Sequence, residues 1–366
     1  MQKMPLTSLA FAATHKTARE YRRKSVVEIY VKTHLNQPKN VTLAQHFTVT
    51  NDWLTPAVQE FIVQHAEQGV LDPFAGECHI RDALATVGIT NFVGWDVDRT
   101  LSGVVYNDSL QQIYSTGRLI VTNPPYMSRS NVTKRQSDFI TYLEDNAYDD
   151  IYHVAINRCL QAHDFVVAIV PESFLLVANR YSRLQSMHVI EASMFTKTEW
   201  PVLVACFVNH PVPEDEQKIY RNDQFVITIK NLKRFAKIPT RQVPIRFNAK
   251  DGNIGFRSVD GRHAEERIQF CSRESLTYYF DRIRPNARAI TMILVPSASG
   301  HEKRLIDEAN RIVECFRTDC HDLLLYPYIC NNSKGIRRRR LDFSAARAVL
   351  EESMKNLGLI KSLFGV

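Results

Sequence analysis

The run Asn123-Pro124-Pro125-Tyr126 combines residue types that could hold an amino group for reaction. It directly follows Leu119-Ile-Val-Thr122, a short apolar run typical of a buried strand. Two consecutive prolines remove two backbone donors and keep the chain extended, so carbonyl oxygens and the Asn123 amide oxygen face one point. Such acceptors suit an amino group on an aromatic ring, because accepting both of its N–H bonds frees the nitrogen lone pair. Tyr126 adds a flat face on which that ring can stack.

Three carboxylates precede this turn, each just after a predicted strand. Asp72 closes the first strand and leads into the small turn Phe74-Ala75-Gly76, Asp96 closes the second, and Asp108 follows the third. An acid at the end of the second strand typically accepts ribose hydroxyls, and Asp108 could accept from a ring amine or amide. The sequence has neither a GxGxxG nor a GxxxxGK[ST] motif, which disfavours dinucleotide and nucleoside triphosphate sites. The pattern predicts a nucleoside site; singly, each acid could instead be a helix cap.

The elements that must position these residues form an alternating α/β pattern. Short continuous apolar runs are separated by helical stretches such as 78–87 and 148–161, which predicts a buried, mostly parallel sheet. Ligands bind such a sheet outside the carboxyl ends of its strands, where the polar clusters lie. The later segment 188–208 predicts a closing antiparallel hairpin.

Together, Asp72-Pro-Phe-Ala-Gly76, Asp96, Asp108 and Asn123-Pro-Pro-Tyr126 resemble the motifs of S-adenosylmethionine-dependent amino-methyltransferases that act on adenine N6 in DNA. The upstream segment 47–61, with its Thr55-Pro56 pair, resembles the cofactor motif that these enzymes place before the first strand. In the gamma class of these enzymes, the cofactor motif comes first, the catalytic motif second and the recognition region last, and this sequence has the same order. The resemblance covers about residues 45–210.

The resemblance implies a Rossmann-like methyltransferase fold, S-adenosylmethionine as cofactor and no metal. It implies that Asp96 holds the cofactor ribose, Asp108 its adenine, and Thr55, Pro56 and Asp72 the methionine moiety. Phe74, Ala75, Gly76 and Asn123 would also line the cofactor site. It implies that Asn123 and the Pro124 carbonyl hold the target amine while Tyr126 and Phe195 stack on the extruded base, with Trp200 as the alternative to Phe195. One departure is Cys78, which stands where the family turn usually has a second glycine.

The charge is divided unevenly along the chain. Residues 217–366 carry 28 Lys and Arg against 16 Asp and Glu, whereas residues 1–216 carry 18 against 23. Because the polar, proline-flanked stretch 211–216 separates the two, we expect a catalytic domain at 41–212 and a basic α+β DNA target-recognition domain at 213–366. The basic residues expected to contact phosphates are Lys233 and Arg234, and Arg337, Arg338, Arg339 and Arg340 in a predicted loop. A solvated surface is the alternative.

The remaining features bound the class of protein. Residues 1–40 predict a basic N-terminal arm, and no run approaches the length of a membrane span. Seven cysteines without a CxxC pair favour reduced thiols in a cytoplasmic compartment, and the spacing of Cys315, Cys320, His321 and Cys330 fits no common zinc pattern.

The sequence therefore predicts a sequence-specific DNA adenine-N6 methyltransferase, bacterial or phage-encoded, acting on double-stranded DNA as a monomer and paired with a cognate restriction endonuclease. Four alternatives stay open. RNA adenine, cytosine N4 or a protein glutamine could be the target of the same motif, and the chain could be a DNA-binding protein on a non-catalytic methyltransferase scaffold. The long basic region favours a nucleic acid over a protein substrate.

Overall fold

The computed structural model describes residues 51–131, 139–146, 148–190, 201–236, 239–241, 243–263, 265–276 and 289–360. The helices are α1 (Pro56–His65), α2 (His79–Ala85), α3 (Ile140–Asn146), α4 (Ile151–Ala162), α5 (Ile229–Phe235), α6 (Glu302–Thr318) and α7 (Phe343–Asn356). The first group of strands is β1 (Val70–Asp72), β2 (Phe92–Asp96), β3 (Val105–Tyr106), β4 (Leu119–Thr122), β5 (Val166–Pro171), β6 (Leu184–Ile190), β7 (Val202–Phe207), β8 (Lys218–Arg221) and β9 (Gln224–Thr228). The second group is β10 (Arg246–Phe247), β11 (Ile254–Arg257), β12 (Gln269–Ser272), β13 (Ile290–Leu294), β14 (Tyr326–Asn331) and β15 (Arg337–Arg340).

The first group of strands forms one nine-stranded sheet in the order β3-β2-β1-β4-β5-β7-β6-β8-β9. Strands β1, β2, β3, β4 and β5 pair in parallel, and β7 runs antiparallel between β5 and β6. Strands β1, β4 and β5 are buried at every residue, as their continuous apolar runs predict. The α/β class, the mostly parallel Rossmann-like sheet and its antiparallel hairpin are therefore confirmed.

Helices cover both faces of this sheet. On one face α1 and α2 pack Phe61, Ile62 and Leu84 against Val121 and Ile169. On the opposite face α4 packs with the other set of alternating strand residues, including Ile120, Ala168 and Val170. Within the described ranges, none of the helices combines the length and the apolar character that crossing a membrane requires.

The first sheet extends further along the chain than the sequence suggested. Strands β8 and β9 add to it beside β6, with β8 parallel to β6. The boundary expected between residues 212 and 213 therefore falls inside the sheet, and the second sheet begins only with β10. The polar stretch at 211–216 is a surface connection between β7 and β8, which is why its composition resembles that of a linker.

The C-terminal region has an α+β arrangement with its own core. Strands β10, β13, β11 and β12 form an antiparallel sheet in that order, and α6 and α7 pack on it. Strands β14 and β15 form a separate two-stranded hairpin. The run of four arginines, expected as a loop, is thus a strand: its backbone pairs with β14, and Arg340 also bridges to Val259.

Candidate active site

Asp72 lies at the carboxyl end of β1, near the middle of the parallel part of the sheet. Its Oδ1 atom accepts hydrogen bonds from the Thr122 hydroxyl at 2.7 Å and from the Phe74 amide at 3.0 Å. The residue is 1% exposed, and burial raises the pKa of its carboxyl group to about 7, against the lowering effect of those two bonds. The Thr122 bond joins the end of β1 to the end of β4, directly before the Asn123–Tyr126 turn.

Asp96 ends the neighbouring strand β2 and is also buried. Its Oδ2 atom accepts the Gly76 amide at 2.9 Å, and its Oδ1 atom accepts the Asp98 amide at 2.8 Å. Burial raises the pKa of this carboxyl group, and the nearby charge of Asp96 in turn raises the pKa of Asp72. The structure therefore brings the two predicted cofactor acids and the small turn between them into one cluster.

Two backbone positions shape the turn after β1: one allows its approach to β2, and the other precedes α2. Gly94 in β2 faces Ala75, and a β-carbon at position 94 would lie 2.8 Å from the Ala75 β-carbon. Cys78, where the sequence lacks the family glycine, adopts φ 64°, a left-handed conformation that glycine favours. Cys78 nevertheless directly precedes α2, so the turn geometry is kept at a cost of about 1–2 kcal/mol in backbone strain.

Asp108 follows the short edge strand β3, as predicted. Its Oδ2 atom accepts the hydroxyl of Tyr142, in α3, at 2.9 Å. The preceding residue also ties this segment to β2, because the Asn107 amide donates to the Asp96 carbonyl at 2.9 Å. Asp108 thus extends the polar cluster along the carboxyl ends of β1, β2 and β3.

The Asn123–Tyr126 turn leaves β4 beside this cluster. The Tyr126 hydroxyl lies within hydrogen-bond reach of two acceptors, the Asn123 amide oxygen and the Ile169 carbonyl of β5, the latter at 2.7 Å. The Tyr126 ring is half-buried and meets Tyr152 edge-on, with ring centroids 6.2 Å apart. Burial raises the pKa of the hydroxyl well above its ordinary value. In this structure Tyr126 therefore orients Asn123, and stacking on a base stays a prediction.

The far end of the turn is fixed to the start of α4. Asp150 caps that helix, and its Oδ1 atom also accepts the Met127 amide at 2.9 Å. Burial raises the pKa of Asp150 to about 6. The prolines are thus held between β4 on one side and a helix N-terminus on the other.

Thr55 and Pro56 are placed differently from the expectation. Thr55 caps α1, but its hydroxyl donates to Asp223 at 2.7 Å, and Asp223 lies in the turn after β8. Strand β8 is five places from β1 in the sheet, about 24 Å at the usual strand spacing. The structure therefore does not bring Thr55 together with Asp72. A Ser186–His188–Asp223 chain of hydrogen bonds at 3.1 and 3.3 Å supports this cap instead.

Some of the basic residues expected to contact phosphates are exposed, and one is buried. Lys233 and Arg234 are exposed on α5, and Lys233 pairs with Glu214 at 2.7 Å. Arg339 is not a surface residue: it is 7% exposed and pairs with Glu172, itself 4% exposed, at 2.5 Å. Arg338 donates to the Asp260 carbonyl at 2.7 Å and lies over the Tyr328 ring. The prediction that Arg339 contacts phosphate is therefore wrong, because strand alternation turns its side chain inward.

Several expected features lie outside the described residues, namely the N-terminal arm 1–40 and both candidates for the second stacking residue, Phe195 and Trp200. Among the residues that are described, no group of three or more His, Cys, Asp or Glu side chains is arranged to hold a metal ion.

Sequence reasoning missed four residues that hold the site together. Thr122, Tyr142, Asp150 and Glu172 each bond to a site residue or to a distant element. The position of Asp150 before an apolar helical run is a recognisable cap signal. Thr122 and Glu172 each stand at or just after a strand's carboxyl end, but their partners are 50 and 167 residues away and leave no local signal.

Comparisons with known proteins give a fold-level likeness only. No family model matches the sequence, and no curated protein matches it. A Listeria monocytogenes protein assigned to the class I S-adenosylmethionine-dependent methyltransferases is 10% identical, with 50% of this chain and 68% of that chain covered and a TM-score of 0.37. The type I restriction–modification methyltransferase subunit of Streptococcus thermophilus is 12% identical, with 52% and 54% covered and a TM-score of 0.34.

The M protein of the type I restriction enzyme EcoKI is 12% identical, with 86% of this chain and 71% of that chain covered and a TM-score of 0.33. In the comparison with the S. thermophilus subunit, this chain covers only about half of the length of that protein. At these TM-scores we take no argument about activity from the likenesses.

Proposed function

We propose that this chain is an S-adenosylmethionine-dependent methyltransferase that transfers a methyl group to N6 of adenine in double-stranded DNA. The observation that carries the proposal is the meeting of Asp72, Asp96 and the Asn123–Tyr126 turn at the carboxyl edge of one parallel sheet. Ligands bind at this edge in open α/β sheets, and the turn supplies oxygen acceptors beside it.

The residues at this edge fit the cofactor chemically. The described partners of Asp72 are two neutral donors, so its buried carboxylate suits the ammonium group of the methionine moiety. Asp96 accepts backbone amides on both oxygens and keeps lone pairs for ribose hydroxyls, and Asp108 suits the adenine. When bound, S-adenosylmethionine supplies an electrophilic methyl group on a sulfonium. The turn between β1 and α2 would hold it beside Asn123.

The Asn123–Tyr126 turn would act on the target amine by position. The Asn123 amide oxygen and the Pro124 carbonyl would accept the two N–H bonds of the amine and aim its lone pair at the methyl group. An amide oxygen has two lone pairs, so the Asn123 oxygen can accept the Tyr126 hydroxyl with one and the target amine with the other. Because an adenine inside a duplex cannot reach this turn, the base must be extruded.

The excess of basic residues in the C-terminal half supports a nucleic-acid substrate. We further propose that the chain works in the cytoplasm of a bacterium or in a phage-infected cell, as part of a restriction–modification system. The RNA, cytosine-N4 and protein-glutamine readings remain outcomes of the experiment.

The test is methyl transfer from radiolabelled S-adenosylmethionine by the full chain to separate pools of duplex DNA, structured RNA and protein. We expect label in DNA, and N6-methyladenine as the labelled nucleoside after digestion. Asn123→Ala should abolish incorporation while cofactor affinity, measured by calorimetry, changes less than about threefold, because Asn123 is expected to act on the target amine. Label in N4-methylcytosine, RNA or protein would overturn the substrate assignment, and no incorporation with retained DNA binding would favour the non-catalytic reading.

A further inference from the structure

The hairpin formed by β14 and β15, residues 326–340, is the most basic element that the structure describes. It carries Lys334 and the arginines 337–340, and it contains no aspartate or glutamate. Arg339 pairs with buried Glu172 and Arg338 donates to the Asp260 carbonyl, so both of these side chains serve the protein itself. The hairpin thus has an anchored base, and its other end is an exposed tip.

The base of the hairpin is fixed beside the candidate active site. Glu172 directly follows β5, and the Ile169 carbonyl of that strand accepts the Tyr126 hydroxyl. The Arg339–Glu172 pair therefore holds β15 at the same edge of the sheet as the Asn123–Tyr126 turn. Replacing such a buried pair by apolar residues is often neutral or stabilising, so the placement that the pair imposes is a better account of it than a gain in stability.

The tip of the hairpin is a hydrogen-bonded turn that exposes an apolar side chain. The Asn332 side-chain oxygen accepts the amides of Lys334 and Ile336, both at 3.0 Å, and the Asn332 amide donates to the Ile336 carbonyl at 2.8 Å. Gly335 completes the turn at φ 75°. Ile336 is 59% exposed at this tip, although its backbone is fully bonded.

Exposed cations stand next to this isoleucine. Lys334 is exposed in the turn itself, and the Ser333 amide donates to the carbonyl of Arg262, an exposed residue, at 2.7 Å. An apolar side chain on a hydrogen-bonded tip, flanked by cations, is the combination that unstacks base pairs while the cations hold phosphates. A protein partner would need acidic residues opposite this tip and gives no reason for an apolar wedge beside a base-extruding site.

We propose that the β14–β15 hairpin enters duplex DNA at the target adenine, with Ile336 inserted between base pairs and Lys334 and Arg262 on the flanking phosphates. This inference rests on the proposed function, because it takes the extruded base to be the substrate of the neighbouring turn. It assigns Ile336 the task of filling the space that the extruded adenine leaves in the stack.

The first test compares Ile336→Ala with the wild-type chain on two duplexes that carry the methylated sequence, located beforehand by sequencing modified bases. One duplex has the target adenine paired, and the other has it opposite a mismatched base that already disturbs the stack. We expect Ile336→Ala to slow methylation of the paired duplex at least about tenfold and to recover most of that loss on the mismatched duplex. Val63→Ala, which trims an equally exposed apolar side chain on α1, is the matched control.

The second test measures DNA binding apart from turnover, by fluorescence anisotropy of a labelled duplex over a range of salt concentrations. Lys334→Ala and Arg262→Ala should each lower the salt slope by about one. The inference is overturned if the slopes are unchanged, or if Ile336→Ala matches wild type on both duplexes. Failure of wild-type methylation with the expected slope changes would instead count against the proposed function alone.

Discussion

The Thr122 hydroxyl donates to the Asp72 carboxylate at 2.7 Å, across two neighbouring parallel strands. This bond links the residue expected to meet the cofactor with the residue that directly precedes Asn123. The pairing of β1 with β4 in the sheet therefore sets the position of the Asn123–Tyr126 turn relative to Asp72. A change at Asp72 is consequently expected to affect the end of β1 and the turn after β4 together.

Asp72 should make the stability of the unliganded protein fall as pH rises. Burial raises its folded-state pKa to about 7 from 3.8, so the folded protein binds the proton more tightly than the unfolded chain. This contribution is complete below pH 3.8 and is lost as pH rises through about 7, with a total of the order of 4 kcal/mol. Chemical denaturation of Asp72→Asn should lack this component, whereas exposed Asp52→Asn should keep it. Identical pH profiles for Asp72→Asn and wild type would contradict the assignment.

His153 should produce the opposite dependence. Burial, helped by the charge of Arg180, lowers its pKa from 6.5 to about 4, and its Nδ1 atom is hydrogen-bonded to the Tyr181 hydroxyl at 2.7 Å. Its contribution is therefore complete above pH 6.5 and is lost as pH falls through about 4, by about 3 kcal/mol. The two residues partly cancel in the wild type, so the acid-side slope should be steepest in Asp72→Asn. His153→Gln should reduce the acid-side slope of stability against pH, measured by chemical denaturation. The same change at exposed His210 should leave that slope unchanged.

Tyr126→Phe should separate orientation of Asn123 from stacking. The variant keeps the ring but removes the hydroxyl that contacts Asn123 and Ile169. We expect kcat to fall about 10- to 100-fold, because a buried hydrogen bond that positions a reacting group is lost, with cofactor affinity within about threefold. Single-turnover methylation and calorimetry measure the two quantities. Tyr114→Phe, at an exposed tyrosine, should behave as wild type, and a fully active Tyr126→Phe would rule out the orienting role.

The Arg339–Glu172 pair should show strong coupling in a double-mutant cycle. Arg339→Met alone leaves a buried carboxylate unpaired and should cost about 3–5 kcal/mol, whereas Glu172→Gln/Arg339→Met should recover most of this. The exposed pair Arg246–Asp251 is the control, and Arg246→Met should cost no more than about 1 kcal/mol. Denaturant unfolding measures these changes. Additive effects at positions 172 and 339 would show that the pair does not couple.

Local pattern was sufficient for the central strands and for the acids that end them. Continuous apolar runs at β1, β4 and β5 can only be buried on both sides, and polar residues then collect at their ends. Local pattern did not predict the structure where pairing with residues far away in the sequence determines it. The four arginines suggested a phosphate-contacting loop because the pairing of β15 with β14 and of Arg339 with Glu172 leaves no signal in the local composition.

Two other differences have the same origin. Strands β8 and β9 follow a linker-like segment, and their membership of the first sheet depends on pairing with β6. Thr55 was expected beside Asp72 by resemblance, yet its partner is Asp223, 168 residues later. The left-handed conformation of Cys78 shows, by contrast, that a turn can keep its geometry when the residue that usually permits it is missing.

The Arg339–Glu172 contact also limits how the chain can be cut or recombined. A fragment that stops before β15 would keep the central sheet but lose Arg339. The buried carboxylate of Glu172, at the start of the 172–176 segment, would then have no positive charge beside it. The half of the chain that forms the nine-stranded sheet should therefore be unsuited to independent production. Exchanging the C-terminal region for that of another chain would require Arg339 and Glu172 to be transferred together.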